Sequence, residues 1–236
     1  MDANQNKPRT AVITGASDRI GLELAKECLD LGYHAVIHYR TSPEPAASFF
    51  NGDGRVAFIK ADLTESPEKF IADVKKLRIP PLGGLINNAA VFETGDMSDT
   101  AHFDKMLAVN ALAPLRLSAA FAKSAENGWI INITDAHARP KSKKYQNYRV
   151  SKLFLDEITR QQAYLYAPKI RVNAIAPGAI LPPANGNTED FSRLPSLIPL
   201  AKTGDPAHIR QAMRLLVEND YITGSVVPVD GGWGSA

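Results

Sequence analysis

The chain has 236 residues, 44% of them apolar and 22% charged, enough for one full hydrophobic core, and no apolar run is long enough to cross a bilayer. Its 27 basic and 25 acidic residues leave a formal charge of +2, which gives no general basis for binding nucleic acid. Cys28 is the only cysteine, which excludes a disulfide or a thiolate metal site within the chain; with the polar opening MDANQNKPRT, the expectation is a cytoplasmic protein folded as one domain over residues 1–236.

The first strand-like run, TAVIT, passes through TGASDRIG directly into the helical pattern IGLELAKECLDLG. In that turn Gly15 allows a sharp bend and Gly21 lets the helix lie close to the strand, while the free N–H groups around Ser17 and Ile20 face a phosphate. A nucleotide pyrophosphate is the expected ligand; the alternative is a tight strand-to-helix turn that binds nothing. Arg19 stands where a third glycine would be ordinary, and its guanidinium suits a phosphate or an acidic or heteroaromatic substrate. The second run, HAVIHY, ends in Tyr39, Arg40, Thr41 and Ser42, a cation and hydroxyls where a carboxylate would hold an unmodified ribose. That choice favours the 2′-phosphate of NADP(H), against the simpler reading of an exposed arginine and a serine helix cap.

A short helix near PEPAASFF leads to the third strand, RVAFIK, and to Ala61, Asp62 and Leu63. Asp62 is placed either for an adenine amino group or to cap the next helix, SPEKFIADVKKL. The fourth strand, LGGLIN, runs into NNAA and Phe92, so Asn88, Ala89 and Ala90 line the same edge, with Asn87 and Asn88 as amides tying strand ends together. A long helical region from about 99 to 125 carries Asn110, poor in a helix interior by propensity and a candidate anchor for a proton-relaying water. The fifth strand, GWIINIT, ends at Thr134 and Asp135, and a basic run from Arg139 to Arg149 reads as a solvated loop or a local anion site.

In the helix spanning 146–166, Tyr148 and Lys152 are four residues apart and share one face. An ammonium near a phenol favours the phenolate and eases proton donation, so the pair suits a general acid and its electrostatic partner. The sixth strand, IRVNAIA, ends in Pro177 and Gly178, followed by Ile180 and a segment, 180–204, that is expected to be an irregular lid over the ligand. The helix PAHIRQAMRLLVE and the strand GSVVPVD complete the chain. This alternation predicts a doubly wound Rossmann-type α/β fold of three layers with a seven-stranded parallel sheet, its ligands outside the carboxyl ends of the strands. The five histidines show no ligand spacing, so no metal is expected.

From TGASDRIG through NNAA, YRVSK and IAPG to YITGSVVPVDGG, the sequence resembles the short-chain dehydrogenase/reductases along essentially its whole length. The resemblance implies reduction with a nicotinamide through Tyr148, Lys152 and Asn110, and a homotetramer paired through the 146–166 helix, the helix before it and the final strand. Most members carry serine thirteen residues before the tyrosine, where this chain has Asp135. A carboxylate is poorly matched to a carbonyl oxygen gaining negative charge, but it suits ring N–H or amino donors. Within the family, Arg19, HYRTS, Phe92, Asp135, Tyr148 and Lys152 together resemble the pteridine reductases, and the turn at Arg19 and Asp135 also resemble the bacterial dihydromonapterin and dihydrofolate reductases. That resemblance implies a pterin or folate substrate stacked on Phe92, reached by Arg19, Asp135, Tyr148 and Gly178, with NADPH as cofactor. Ala90 departs from the serine that the longer pteridine reductases tend to have there, which removes one hydrogen bond. The competing expectations are a 3-oxoacyl-carrier-protein or general carbonyl reductase, which a serine at 135 would favour, and a silent NADP-sensing scaffold. By themselves, Phe92 would serve as a core or lid aromatic, and Asp135 as a salt-bridge partner of Arg19 or Arg139.

Overall fold

The computed structural model describes residues 7–136, 144–182 and 188–235. Seven strands, β1 (Thr10–Ile13), β2 (His34–Tyr39), β3 (Val56–Lys60), β4 (Leu82–Asn87), β5 (Gly128–Ile133), β6 (Ile170–Pro177) and β7 (Val226–Val229), form one parallel sheet in the order β3-β2-β1-β4-β5-β6-β7. The order reverses between β1 and β4, so the crevice for a ligand lies outside their carboxyl ends. The helices are α1 (Arg19–Asp30), α2 (Ala46–Phe49), α3 (Pro67–Val74), α4 (Thr100–Leu107), α5 (Ala113–Ser124), α6 (Gln146–Tyr166), α7 (Thr188–Arg193) and α8 (Pro206–Glu218). Among the described residues no helix is long and apolar enough to cross a membrane.

Alternation along the strands builds two cores, one on each face of the sheet. Ile13, Ile37, Ile131 and Ile175 pack under Leu24 and Cys28 of α1 and Met213 and Leu216 of α8. Their strand neighbours Val12, Val36, Leu85, Ile130 and Val172 point the other way, under Phe70 of α3, Leu117 and Phe121 of α5 and Ala163 of α6. A strand covered on both faces reads as a near-continuous apolar run, as β4 does in LGGLIN, buried throughout and ending in the hydrogen-bonded Asn87.

Polar groups inside this core are paired across elements. The Asn87 amide donates to Asn132 Oδ1 at 2.7 Å and to Ser118 at 3.1 Å, and Asn132 donates to Thr159 at 2.8 Å. This chain joins β4, β5, α5 and α6, and fixes how α6 lies on the sheet. It also bears out the reading of Asn87 as a tie between strands.

The expected long helical region is present, with residues Ala108–Leu112 forming a π-helical turn between α4 and α5. Pro114 has no N–H to give the Asn110 carbonyl, so the i to i−4 ladder cannot run through, and Ala113 N–H instead reaches back to the Ala108 carbonyl. One expectation is corrected: the segment 180–204 is not wholly irregular, since α7 and a 3-10 turn, Leu194–Leu197, occupy its middle.

Helices α1 and α8 are held together by charge as well as by packing. Glu27, almost fully buried, accepts from Arg210 Nε at 2.8 Å and pairs with Arg214, while Arg210 also reaches Glu23 and Asp30. Removing one guanidinium leaves a buried carboxylate short of a partner, which costs more than an ordinary surface pair. Arg210→Met is therefore expected to lower the unfolding free energy by about 1.5–3 kcal/mol, read as a lower urea midpoint at unchanged slope.

Candidate active site

The crevice at the β1–β4 switch point opens into a cleft of about 1520 Å³ that runs from the end of β2 to the start of α6. At its floor, the ends of β1 and β4 are stitched together. Thr14 Oγ1 accepts from the N–H groups of Asn88 and Ala89, each at 3.0 Å, and the Asn88 amide donates to the carbonyls of Thr14 and Gly15 at 2.9 and 2.7 Å. Gly15 sits at φ 59°, and a Cβ there would lie 2.9 Å from the Ala89 backbone; one on Gly21 would lie 2.6 Å from the Asn88 amide. Both glycines are demanded by this seam.

His38, in the neighbouring strand β2, is a brace that no motif in the sequence assigns. Its Nδ1 accepts the Gly15 N–H at 3.0 Å and its Nε2 faces the Ala61 carbonyl at 3.1 Å, so the neutral ring with Nε2 protonated fits both bonds. Burial pushes its pKa below 6.5, against the opposing effects of Ala61 and Asp62. Its ring meets Phe70 edge-on at 5.2 Å.

Arg19, at the first position of α1, adopts φ 52°, a left-handed conformation unfavourable for a residue with a Cβ. Its guanidinium donates to the Pro182 carbonyl at 2.6 Å, linking the turn to the segment after β6. Ser17, Ile20, Tyr39, Arg40 and Thr41 also line the cleft, as do Ala61, Asp62 and Leu63. Asp62 accepts from Thr64 N–H and Oγ1, so it caps the turn as well as facing the cleft.

The far end is built on α6. Tyr148 and Lys152 point inward from one face of that helix, and Tyr148 Oη donates to Asp135 Oδ2 at 3.3 Å. The Lys152 ammonium donates to the Ile133 carbonyl at 2.8 Å and lies 5.8 Å from the Tyr148 ring centroid. Burial brings the Lys152 pKa down to about 8, with Asp135 and Asp156 acting the other way. Burial and then the Asp135 carboxylate push the Tyr148 phenol well above its usual 10. Burial first, and Asp135 second, thus favour the protonated phenol in the chain by itself, and the hydroxyl donates to that carboxylate.

Phe92 meets the Tyr148 ring edge-on at 4.7 Å, and one of its faces stacks on Tyr145 at 4.4 Å with planes 12° apart. Tyr145 carries no motif, and only its place one turn before Tyr148 points to it. Arg149, Phe191, Leu194 and Trp233 also line the cleft, and no sequence pattern marks them. Trp233 is carried by a turn whose Gly232 and Gly234 N–H groups are held by the Asp230 carboxylate.

Thr134, Ala90, Pro177 and Gly178 line the cleft as expected, but three other residues lie off its wall. Ser42 accepts from the Glu44 N–H, and the Ile180 side chain is buried where a Cβ on Gly204 would strike it. Asn110 is fully buried: its amide accepts from Val91 N–H at 2.9 Å and donates to the Val91 carbonyl and Ser151 Oγ, both at 3.0 Å. That side chain is satisfied by protein and fastens the Phe92 loop to α6, while Pro114 leaves the Asn110 backbone carbonyl without its usual helical donor. Residues 139–143 of the basic run, and His137, lie outside the described residues. Among the described residues no three His, Cys, Asp or Glu side chains gather as a metal would need.

A family model described as Enoyl-(Acyl carrier protein) reductase matches residues 15–234. The dihydromonapterin reductase of Klebsiella pneumoniae is 31% identical, over 97% of this chain and 98% of that protein. A 3beta-hydroxysteroid dehydrogenase of Eggerthella lenta is 28% identical, over 96% of this chain and 94% of its own length. Among solved structures, FolM alternative dihydrofolate reductase 1 from Brucella canis, complexed with NADP, is similar at TM-score 0.87 and 31% identity, covering 97% of this chain and 95% of that one.

Because the folded chain holds His38 neutral while the unfolded chain protonates near 6.5, stability is full above that pH and declines as pH falls through it, until the folded ring also protonates. Melting temperatures measured from about pH 8 to 5 should drop, and His38→Gln should remove part of that slope; a variant with the same slope would contradict the brace.

Proposed function

The chain belongs to the short-chain dehydrogenase/reductase family, an oxidoreductase family, and on that premise we propose that it reduces a pterin or dihydropterin ring, dihydrofolate included, with NADPH. The single observation that carries this reading is the Asp135 carboxylate beside the Tyr148 hydroxyl. An anion at this place opposes the negative charge that a carbonyl oxygen gains on reduction, whereas it accepts well from the amino and ring N–H groups of a pterin edge.

The donor set fits NADP(H). Arg40 and Thr41 end β2 without a carboxylate, the Gly15 turn opens α1 toward the cleft, and the volume exceeds what a substrate alone would need. The dinucleotide-bound FolM structure supports the same assignment. When bound, the reduced nicotinamide supplies a hydride. Tyr148 donates the proton to the neighbouring ring nitrogen, and Lys152, on the same helix face, stabilises the oxygen left behind. Asp135 orients both the phenol and the ring edge, and the exposed side of Phe92 supplies apolar surface for the ring.

A general carbonyl or 3-oxoacyl reductase is the second reading, favoured by the description of the matching family model and the hydroxysteroid dehydrogenase likeness. Steady-state rates with dihydrobiopterin, biopterin, dihydrofolate and a 3-oxoacyl thioester separate the two. Preference for the thioester by about a hundredfold in kcat/KM would overturn the pterin reading. Asp135→Ser should lower kcat about ten- to hundredfold with little change in NADPH affinity, since a charge-assisted contact made in the transition state is lost. Wild-type turnover in that variant would return Asp135 to a structural role.

We also propose a homotetramer, because α6 leaves Leu153, Phe154, Tyr164 and Leu165 exposed, more apolar surface than one packed helix ordinarily shows. Light scattering should give four copies per particle, and Phe154→Asp should lower that mass; a wild type that remains one copy at every concentration would refute the assembly.

A further inference from the structure

Tyr145, Tyr148, Arg149 and Lys152 lie at helical spacing and all line the cleft, but only three of them have partners there. Tyr145 stacks on Phe92, Tyr148 donates to Asp135 and Lys152 donates to Ile133. Among the described residues Arg149 makes no side-chain hydrogen bond or ion pair, and its Nε is shielded from water and unbonded. With no protein acceptor and a place on the cleft wall, the guanidinium is available to an anionic group of a bound ligand.

The surrounding charges narrow what that ligand is. Glu93, on the same wall, is held by Lys105 at 2.7 and 2.8 Å and so does not neutralise Arg149. Helix α6 has no acidic residue in its first turn, so Arg149 adds to the positive end of the helix dipole. The other arginines of the cleft are placed elsewhere: Arg19 is bonded to Pro182, and Arg40 ends β2 on the far side of the sheet's switch point. Arg149 is therefore the arginine at the substrate end that makes no ion pair with a described carboxylate, Asp135 being engaged by Tyr148, and a planar guanidinium fork matches a carboxylate. The apolar side chains of Phe191, Leu194 and Trp233 line the same cleft and suit an aromatic spacer.

Resting on the pterin reading above, we propose that Arg149 is a specificity residue that binds the carboxylate of an acidic side chain on the substrate, so that a folate is favoured over a pterin with an uncharged side chain.

The test compares wild type with Arg149→Gln and Arg149→Lys, using dihydrofolate and dihydrobiopterin as paired substrates at saturating NADPH. Arg149→Gln should raise the dihydrofolate KM by about tenfold or more relative to the dihydrobiopterin KM, with kcat for each altered less, and Arg149→Lys should recover part of the difference. The dihydrofolate KM of the wild type should also rise with salt more than that of dihydrobiopterin. Equal changes for both substrates would assign Arg149 to the shared ring or to positioning α6 and overturn the proposal, as would no change for either. A wild type that reduces dihydrobiopterin but not dihydrofolate would overturn it while leaving the pterin reading intact, whereas one that reduces neither would remove the pterin reading itself.

Discussion

The bond from the Lys152 ammonium to the Ile133 carbonyl fixes the rest of the site. A cation sunk between a helix and a sheet must have an acceptor, and the end of β5 supplies one. Asp135 follows Ile133 by two residues and Tyr148 precedes Lys152 by one helical turn, so this one contact sets the distance at which carboxylate and phenol meet. The chain of Asn87, Asn132 and Thr159 holds the same two elements deeper in the core, and restricts α6 from sliding along the sheet.

Around that contact, the loop after β4 is fastened to α6 from several sides. Asn110 grips both backbone groups of Val91 and reaches Ser151, whose hydroxyl in turn donates to the Tyr148 carbonyl at 2.6 Å. Further out, Asn147 donates to the Asp96 carbonyl and contacts the His102 ring, and Gly95 pairs with the backbone at Lys144 and Tyr145. A side chain on Gly95 would strike the His102 ring, so the loop closes this tightly only with glycine there. The aromatic group of Phe92, Tyr145 and Tyr148 is thus assembled from two segments remote in sequence, each with its own backbone anchors. A site held this rigidly keeps the Asp135 carboxylate and the Tyr148 hydroxyl at a fixed separation.

Strands covered on both faces, the capped helix α8 and the glycine turn are legible in the sequence because each follows from local chemistry. For α8, Asp205 accepts from Ala207 N–H and Pro206 occupies the first turn, and the run DPAHI carries both signals. Tyr148, Lys152 and Asp135 are legible as a set because the helix period and the strand end put them at one edge. The π-helical turn is not, since it depends on Pro114 acting together with the tertiary grip of Asn110, and helical propensity alone runs straight through it. Nor are His38, Tyr145, Arg149 and Trp233, whose places come from strand register, ring stacking and the closing turn at Asp230 rather than from any motif. The upward push on the Tyr148 phenol has the same origin: the sequence displays the lysine and the aspartate, but burial, the largest cause, comes from the packing of α6.

The central claim, that Asp135 and Tyr148 act on one pterin ring, is tested most directly by a crystal structure of the protein with NADP⁺ and a pterin bound together. The account predicts the ring edge within hydrogen-bond distance of the Asp135 carboxylate and the Tyr148 hydroxyl, with the ring plane against Phe92. A pterin bound elsewhere in the cleft, or an Asp135 turned away to pair with an arginine while the ring meets Tyr148 alone, would contradict it.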